Sequence, residues 1–319
     1  MEAPVQRTRT IASLLFLAYA TLTGGVASAI TLADGIAQPE GSVPFSLEGV
    51  VRVGGCSGAL LWDRVHVLTA AHCSPATGQS TNVTFDTSAG KVTISGVATV
   101  DPGWTGNVNG GNDLSIITLK SLAPVNGYQL YAGSANQLAA PIPIEVAGFG
   151  LTGIGSTGAT GGGGTLRVGT NTYDLIYGGI AGGPYLFDFD DGSSAHDTIG
   201  ALFQVPNLGT GPYEAMLAAG DSGGPSFIGG KLAGIHSFIF SPGVPYGVSQ
   251  ASNSSFGEVG GDTRLAGTAS TRWINSIVGA PVPEPRTWTL LGAGLLALLV
   301  YARRRRARAA TQDTSVSTH

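Results

Sequence analysis

The segment GDSGGP at positions 220–225 places one hydroxyl group, that of Ser222, between an aspartate and two glycines. Neither helix nor strand propensity favours such a sequence. Glycine adopts backbone conformations that other residues resist, and it lets a second molecule come close to the backbone. The segment therefore predicts a tight turn that presents the Ser222 hydroxyl to another molecule.

A serine hydroxyl becomes an effective nucleophile when a base takes its proton, and the base works best when a carboxylate fixes its tautomer. His72 is the best candidate for the base, because LTAAHC (68–73) surrounds it with small residues and ends in a cysteine. His66 lies within an apolar strand and is better explained as a structural histidine. Asp113, in GNDLSIITL (111–119), lies at the entrance to an apolar strand, where a partly buried carboxylate needs a donor.

The segments LTAAHC, NDLSIITL and GDSGGP, in the order His, Asp, Ser, resemble the trypsin-like serine proteases, which have the chymotrypsin fold. The resemblance covers about residues 43–278. It implies that His72 is the general base and then the general acid, that Asp113 orients it, and that Ser222 is the nucleophile. It also implies an oxyanion hole formed by the backbone N–H groups of Gly220 and Ser222.

The same resemblance implies a substrate pocket. Met216, six residues before the nucleophile, falls at the pocket floor, where it offers no countercharge to a basic side chain. Ser237 falls where the family has a serine near the catalytic aspartate, and Phe238 falls where an aromatic ring lines the cleft. Ile239 falls at a position that often holds glycine, so its bulk is expected to narrow the pocket. We therefore expect cleavage of a protein or peptide substrate after small or medium-sized apolar residues.

In this family the position of Asp221 commonly pairs with a new N-terminal ammonium group. Cleavage after Ala29 would expose Ile30, an aliphatic N-terminus of the usual kind, although the sequence ITLADGIAQ that begins there departs from the family's I-V-G-G start. Losing one partner of a buried ion pair typically costs about 3–5 kcal/mol. We therefore expect that removal of a leader peptide creates the active N-terminus.

The composition favours an all-β fold, because the 319 residues include 50 glycines and 17 prolines but only two methionines. Together with the resemblance, it predicts two six-stranded antiparallel barrels, at about 30–140 and 141–267, and a short closing helix at about 268–278, in a domain at 30–280. The glycine-rich segment at 150–165 is expected to be a surface loop. The two cysteines, Cys56 and Cys73, are expected to form a disulfide, as in other exported proteins.

The N-terminal segment resembles a secretory signal peptide. It has Arg7 and Arg9, then an apolar run at 11–20, then ASA at 27–29. These features predict a signal peptide at 1–29 that is cut after Ala29 and a protein that is exported. An uncleaved membrane anchor is the alternative, but the apolar run is short and the cleavage site is well formed.

The C-terminal segment at 281–319 resembles the PEP-CTERM sorting signal of Gram-negative bacteria. VPEP (282–285) is followed by an apolar run, predicted to be a transmembrane helix at about 287–302, and then by an arginine cluster. The resemblance implies an exosortase-type sorting enzyme as a partner. It also implies a tether to the inner membrane that faces the periplasm, followed by transfer to the cell surface or the medium once the tail is processed.

The charge of the exported part disfavours nucleic acid as a partner, because residues 30–285 carry eight Lys or Arg and eighteen Asp or Glu. We expect no metal and no organic cofactor. The acidic segment FDFDDG (187–192) either binds calcium or forms a solvated loop, and its spacing favours the loop because it completes no known calcium motif. Two function classes stay open: a serine endopeptidase, which the three intact motifs favour, and an inactive protease-like binding or matrix protein.

Overall fold

The computed structural model describes residues 30–35, 44–133, 141–178, 183–210, 213–243, 252–266, 269–280 and 294–302. The signal peptide predicted at 1–29 lies outside these ranges. Within them the chain is mostly β-structure with few helices.

The first half of the chain contains seven strands, six of which close into a barrel. The strands are β1 (Ile30–Leu32), β2 (Val50–Val53), β3 (Cys56–Leu60), β4 (His66–Thr69), β5 (Ser80–Thr87), β6 (Gly90–Val100) and β7 (Ser115–Leu119). Strands β2 to β7 form the barrel in the order β2-β3-β4-β7-β6-β5, and all their pairings are antiparallel. Successive side chains of each strand point to opposite faces of the barrel wall. In β5, for example, Val83 and Phe85 face the barrel interior whereas Thr84 faces outward.

The second half contains ten strands, seven of which form a curled sheet. Its strands are β8 (Ile142–Gly148), β9 (Thr152–Ile154), β10 (Gly158–Gly161), β11 (Arg167–Tyr173), β12 (Leu175–Ile176), β13 (Tyr185–Asp188), β14 (Ala215–Met216), β15 (Pro225–Ile228), β16 (Lys231–Phe240) and β17 (Val259–Arg264). Seven of them pair in the order β11-β8-β15-β16-β17-β13-β12. The sheet curls so far that Tyr173 of β11 stacks on Tyr185 of β13, with ring centroids 4.2 Å apart.

The closed barrel and the following half-barrel confirm the predicted chymotrypsin-like fold. A second six-stranded barrel was predicted, and the structure has the curled seven-stranded sheet in its place. A small additional sheet, β10-β9-β1-β14, lies beside it.

Strand β1 does not belong to the first barrel, in contrast to the predicted boundary of about 30–140. Ile30 pairs in parallel with Thr152 of β9, and Thr31 pairs antiparallel with Met216 of β14. The reason is burial: all three residues of β1 are buried, and Ile30 belongs to the core of the second half. The glycine-rich segment at 150–165 is likewise not only a loop, because β9 and β10 form a hairpin against β1.

Two short helices complete the fold. They are α1 (Thr198–Phe203) and α2 (Ala269–Val278), the second of which is the predicted closing helix. Ile274 of α2 packs in a core that joins the two halves, since the same cluster contains Leu68 of β4 and Phe227 of β15.

Near the C-terminal end, residues 294–302 are helical, and Leu295, Leu296, Leu298 and Leu299 are exposed. In the part of the chain that the structure describes, no helix has both the length and the apolar character needed to cross a membrane. The first part of the membrane helix predicted at about 287–302 lies outside the described ranges.

Candidate active site

His72 and Asp113 meet because they follow and precede two paired strands. β4 and β7 run antiparallel, and Thr69 at the end of β4 lies opposite Ser115 at the start of β7. His72 lies in a single 3-10 turn, Ala71–Cys73, directly after β4. Asp113 lies two residues before β7, so the register of this one strand pair brings the imidazole and the carboxylate together.

The contact between them fixes the imidazole. His72 Nδ1 lies 2.7 Å from Asp113 Oδ2, and the backbone N–H of His72 donates to Asp113 Oδ1 at 3.0 Å. Asp113 is fully buried, whereas the His72 side chain is one-third exposed. An ionised carboxylate only accepts hydrogen bonds, so Nδ1 carries the proton and Nε2 of the neutral imidazole is left as an acceptor. The pair therefore presents a base on the open side of the ring.

A serine from the second half completes the hydrogen bonding of the buried carboxylate. The hydroxyl of Ser237, on β16, donates to Asp113 Oδ2 at 2.5 Å. The structure therefore brings three of the predicted site residues, His72, Asp113 and Ser237, into one hydrogen-bonded array.

The segment around Ser222 is held against both halves. Gly223 N–H donates to His236 O, and His236 N–H donates to Gly224 O, each at 2.8 Å, which ties the turn to β16. Gly223 has a φ of 80°, and a Cβ there would lie 2.2 Å from Thr69 Oγ1 and 2.9 Å from Ala70 N. The residue after Ser222 is thus packed against the chain just before His72, at a site that only glycine can occupy.

The Ser222 hydroxyl itself makes no hydrogen bond to the His72 imidazole within the described ranges. Its placement comes through the backbone, because Ser222 O accepts from Ser57 N–H at 2.8 Å. Contacts between catalytic groups are often long before a substrate binds. The backbone of the Ser222 segment and the turn that carries His72 therefore lie at one end of the first barrel, and no hydrogen bond joins the two side chains among the described residues.

Ser57 is a residue of the candidate site that the sequence did not reveal. Its fully buried hydroxyl donates to Gly220 O and accepts from Phe149 N–H, at 2.9 Å each. Ser57 directly follows Cys56, and a serine after a cysteine is a weak signal that no local pattern distinguishes. Its role depends on contacts 92 and 163 residues away in sequence.

Two backbone donors next to Ser222 are free. Asp221 N–H is bonded to Ala218 O and Gly223 N–H to His236 O, whereas the N–H groups of Gly220 and Ser222 have no acceptor in the described part of the chain. Gly220 has a φ of 98°, and a Cβ there would lie 2.9 Å from Gly150 Cα. Two unpaired donors beside a hydroxyl can stabilise a negative oxygen.

The disulfide between Cys56 and Cys73 is present, with Cα atoms 6.1 Å apart, which confirms the predicted pairing. It joins the residue before Ser57 to the residue after His72. The bond therefore links the contact that holds the Ser222 segment to the turn that carries the imidazole.

Asp221 is buried and contacts Ile30, as the proposed activation pair requires. Its carboxylate accepts from the N–H groups of Gly150 at 2.7 Å and Ala218 at 2.9 Å, and also from the N–H of Ile30. Burial raises the pKa of Asp221 to about 6, against these hydrogen bonds and the nearby His236, which lower it.

Ile30 has an unfavourable backbone conformation in the uncleaved chain. It is fully buried and has a φ of 65°. For a β-branched residue a positive φ is a genuine outlier. The angle φ exists only while a residue precedes Ile30, so cleavage of that peptide bond removes the constraint.

The predicted pocket residues separate into two places. Phe238 and Ile239 line a cavity of about 440 Å³ together with Tyr177, Leu186 and Phe203. Met216 does not line that cavity; it is fully buried in β14 and pairs with Thr31 of β1. The cavity wall is mostly apolar, so it suits apolar side chains of a bound chain.

The chain is similar to known proteins in two regions. Residues 33–172 match the family model of trypsin, a range that includes His72 and Asp113 and ends before Ser222. Residues 281–306 match the PEP-CTERM protein-sorting motif, which confirms the resemblance of the C-terminal segment.

No curated protein matches the chain by sequence. Among solved structures, neuropsin, a serine protease expressed in the limbic system of mouse brain, is similar with a TM-score of 0.52 and 20% identity, over 74% of this chain and 96% of that chain. At this identity the likeness is one of fold.

Proposed function

We propose that this chain, a trypsin-like protein with a PEP-CTERM sorting motif, is an exported serine endopeptidase that cleaves peptide bonds through an acyl-enzyme. The observation that carries the proposal is the buried Asp113 carboxylate, which accepts from both His72 and Ser237 at the end of the barrel where the Ser222 segment packs. The proposed catalytic residues are His72, Asp113 and Ser222.

In the proposed reaction, His72 Nε2 takes the proton of the Ser222 hydroxyl as Ser222 Oγ attacks the carbonyl carbon of the substrate. The imidazolium that forms is stabilised by the buried Asp113 carboxylate. It then gives its proton to the leaving amine, which leaves an ester on Ser222. Water enters by the same route, with His72 again as the base, and releases the acid.

The free N–H groups of Gly220 and Ser222 are the proposed oxyanion hole. They supply two donors at the point where charge develops on the carbonyl oxygen, and removal of one such donor typically costs about 10²–10³ in rate. The hydroxyl of Ser57 supports this arrangement because it donates a hydrogen bond to Gly220 O. That bond orients the peptide unit between Gly220 and Asp221, which lies between the two donor N–H groups.

Activation is proposed to follow from cleavage after Ala29. The new ammonium group of Ile30 would replace the amide that contacts Asp221, so that a buried carboxyl group gains a full positive partner. The positive φ of Ile30 supports the same step, since the strain disappears with the peptide bond.

The substrate class is proposed from the apolar surroundings. Phe238 and Ile239 provide an apolar wall that favours apolar side chains along the cleft, whereas Met216 is fully buried and lies outside that cavity.

The location is proposed from the sorting motif. The motif implies an exported protein that an exosortase processes. We further propose a temporary tether to the inner membrane, with the protease domain in the periplasm, before final release.

A fluorophosphonate probe tests the proposal, because it labels a serine only when its base and oxyanion donors are in place. The full chain with Ile30 at its N-terminus should be labelled and should hydrolyse peptides or esters. Ser222→Ala, which removes only the hydroxyl, should do neither. No labelling and no turnover by the processed wild-type protein would leave the inactive, protease-like binding protein as the better explanation.

A further inference from the structure

Three carboxylates converge in the second half: one at the end of β13, one two residues after it, and one at the N-cap of α1. Asp188, Asp190 and Asp197 each place one oxygen within 4.8 Å of the others. Their exposed fractions are only 2%, 0% and 8%. The prediction of a solvated loop at 187–192 is therefore wrong for Asp188 and Asp190, because packing against α1 and β17 encloses the segment.

The carboxylate of Asp190 has no partner. Both of its oxygens are buried and accept no hydrogen bond in the described part of the chain. The other two are each held on one oxygen: Asp188 Oδ2 accepts from Ile199 N–H at 2.6 Å, and Asp197 Oδ1 from Gly200 N–H at 2.7 Å. A buried carboxylate without a donor is costly, so it points to a ligand that the cluster is built to hold.

Further negative charge surrounds the three residues. Glu214, which is 1% exposed, accepts from Asp190 N–H through Oε2 at 2.7 Å. Burial, and next the charge of Glu214, raises the pKa of Asp190 to about 8. Burial also raises the pKa of Glu214 to about 8.

No lysine or arginine forms an ion pair with Asp188, Asp190, Asp197 or Glu214 among the described residues. His196 pairs with Asp191, at 2.9 Å. Within the described ranges, no lysine or arginine of the protein therefore balances the charge of the cluster.

We propose that Asp188, Asp190 and Asp197 bind a divalent cation of the calcium class. The ligand set is made of carboxylate oxygens alone, and calcium takes six to eight oxygen ligands in flexible geometry. Zinc and copper prefer imidazole or thiolate ligands, which this cluster lacks. A bound cation would pair both free oxygens of Asp190 and neutralise the repulsion within the cluster.

The carboxylate cluster is connected through Glu214 to strands β14 and β1. Glu214 directly precedes β14, and Ala33 N–H donates to Glu214 O at 3.0 Å. Ala215 in turn pairs with Leu32 of β1. An ion that orders Asp190 and Glu214 would therefore also stabilise β1 and the strand that carries Met216.

The test measures calcium binding and thermal unfolding of the full chain, freed of metal with a chelator. The Ser222→Ala background prevents self-digestion and makes the result independent of the proposed protease activity. Calorimetry with calcium chloride should give one site. At a calcium concentration of about 100 Kd, the unfolding temperature should rise by roughly 5–10 °C.

Asp190→Asn and its neighbour Asp191→Asn form the matched pair. Asp190→Asn should weaken calcium binding by about tenfold or more, and without metal it should be at least as stable as the parent, since it removes a buried acidic group whose oxygens have no partner among the described residues. Asp191→Asn should keep the full calcium response. If Asp190→Asn does not fold, Asp188→Asn provides the second variant, with the same expected loss of binding.

Three results would overturn the proposal. The first is that calcium neither binds nor stabilises the parent protein. The second is that Asp190→Asn binds calcium as tightly as the parent does and is stabilised by it to the same extent. The third is that magnesium chloride raises the unfolding temperature as much as calcium chloride does. Magnesium demands a smaller, near-octahedral site and keeps its own water.

Discussion

The hydroxyl of Ser237 donates to Asp113 Oδ2 at 2.5 Å, across the boundary between the two halves of the fold. Asp113 belongs to the first half, just before β7, whereas Ser237 lies on β16. The carboxylate that orients His72 is thus itself oriented from the other half. The geometry of the proposed triad therefore depends on how the two halves pack.

Ser237→Ala should impair the reaction more than it impairs binding. A hydrogen bond to a charged group is worth about 1.5–3 kcal/mol, so kcat/KM should fall roughly 10- to 100-fold, mostly through kcat. Steady-state kinetics with a peptide substrate measure the split between kcat and KM. Ser276→Ala, on the exposed side of α2, is the control and should change neither. A fall in the free energy of unfolding with no change in kcat would mean that Ser237 has only a structural role.

Asp113→Asn should reduce kcat by about 10⁴-fold, because a side-chain amide favours the wrong tautomer of the imidazole. The measurement is kcat of the processed enzyme over a range of pH, with circular dichroism to establish that the fold is kept. A variant that retains a tenth or more of the activity would exclude Asp113 from the proposed triad.

Replacing both cysteines, Cys56→Ser with Cys73→Ser, should destabilise the first barrel. The disulfide closes a loop with a sequence separation of 17, for which the chain-entropy model gives about 3 kcal/mol. The unfolding temperature should fall by roughly 6–12 °C for a domain of this size. The wild-type protein in reductant is the comparison. Stability that is unaffected by either treatment would contradict a structural role for the bond.

The uncleaved chain should become less stable as the pH rises through about 6. Burial raises the pKa of Asp221 from 3.8 to about 6, so the folded state binds the extra proton between these values. The contribution is fully present below about pH 4 and is lost as the pH passes the folded pKa. Denaturant unfolding from pH 4 to 8 measures it, in a chain kept uncleaved by Ala29→Trp.

Asp221→Asn provides the control for this pH effect. In the uncleaved chain it should remove the part of the pH dependence that Asp221 contributes, leave the part that Asp190 and Glu214 contribute, and cost little stability at pH 7. In the cleaved chain it should cost about 3–5 kcal/mol, because it leaves the Ile30 ammonium group buried without a partner. The same cost in both forms would argue against the pairing of Ile30 with Asp221.

A peptide library should reveal cleavage mainly after small or medium-sized apolar residues. The reason is the apolar cavity wall, to which Phe238 and Ile239 contribute. Mass spectrometry of the products identifies the residue before each cut. Cuts mainly after lysine or arginine would contradict the proposed apolar substrate class.

The sequence predicted those features that reside in short local patterns. LTAAHC and GDSGGP each combine small residues with one reactive side chain, and the fold class and the disulfide were predicted correctly. The PEP-CTERM motif, whose parts are contiguous, was also identified correctly.

Features that depend on distant contacts could not be predicted. The segment at 150–165 has little intrinsic strand propensity, and it forms β9 and β10 only because β1 supplies a partner about 120 residues earlier. The burial of the acidic segment depends likewise on distant contacts, because Glu214 accepts from Asp190 N–H and Ile199 of α1 donates to Asp188. No local sequence pattern indicates that the Ser57 hydroxyl links Gly220 O to Phe149 N–H.

The buried position of Ile30 has a practical consequence for how the protein is produced. Under the proposed activation, any affinity tag or purification handle fused upstream keeps a peptide bond before Ile30, so such a preparation would contain only the precursor however pure it is. A removable fusion that leaves Ile30 as the first residue, or a handle placed in an exposed loop, is needed before an inactive sample can be attributed to the protein itself.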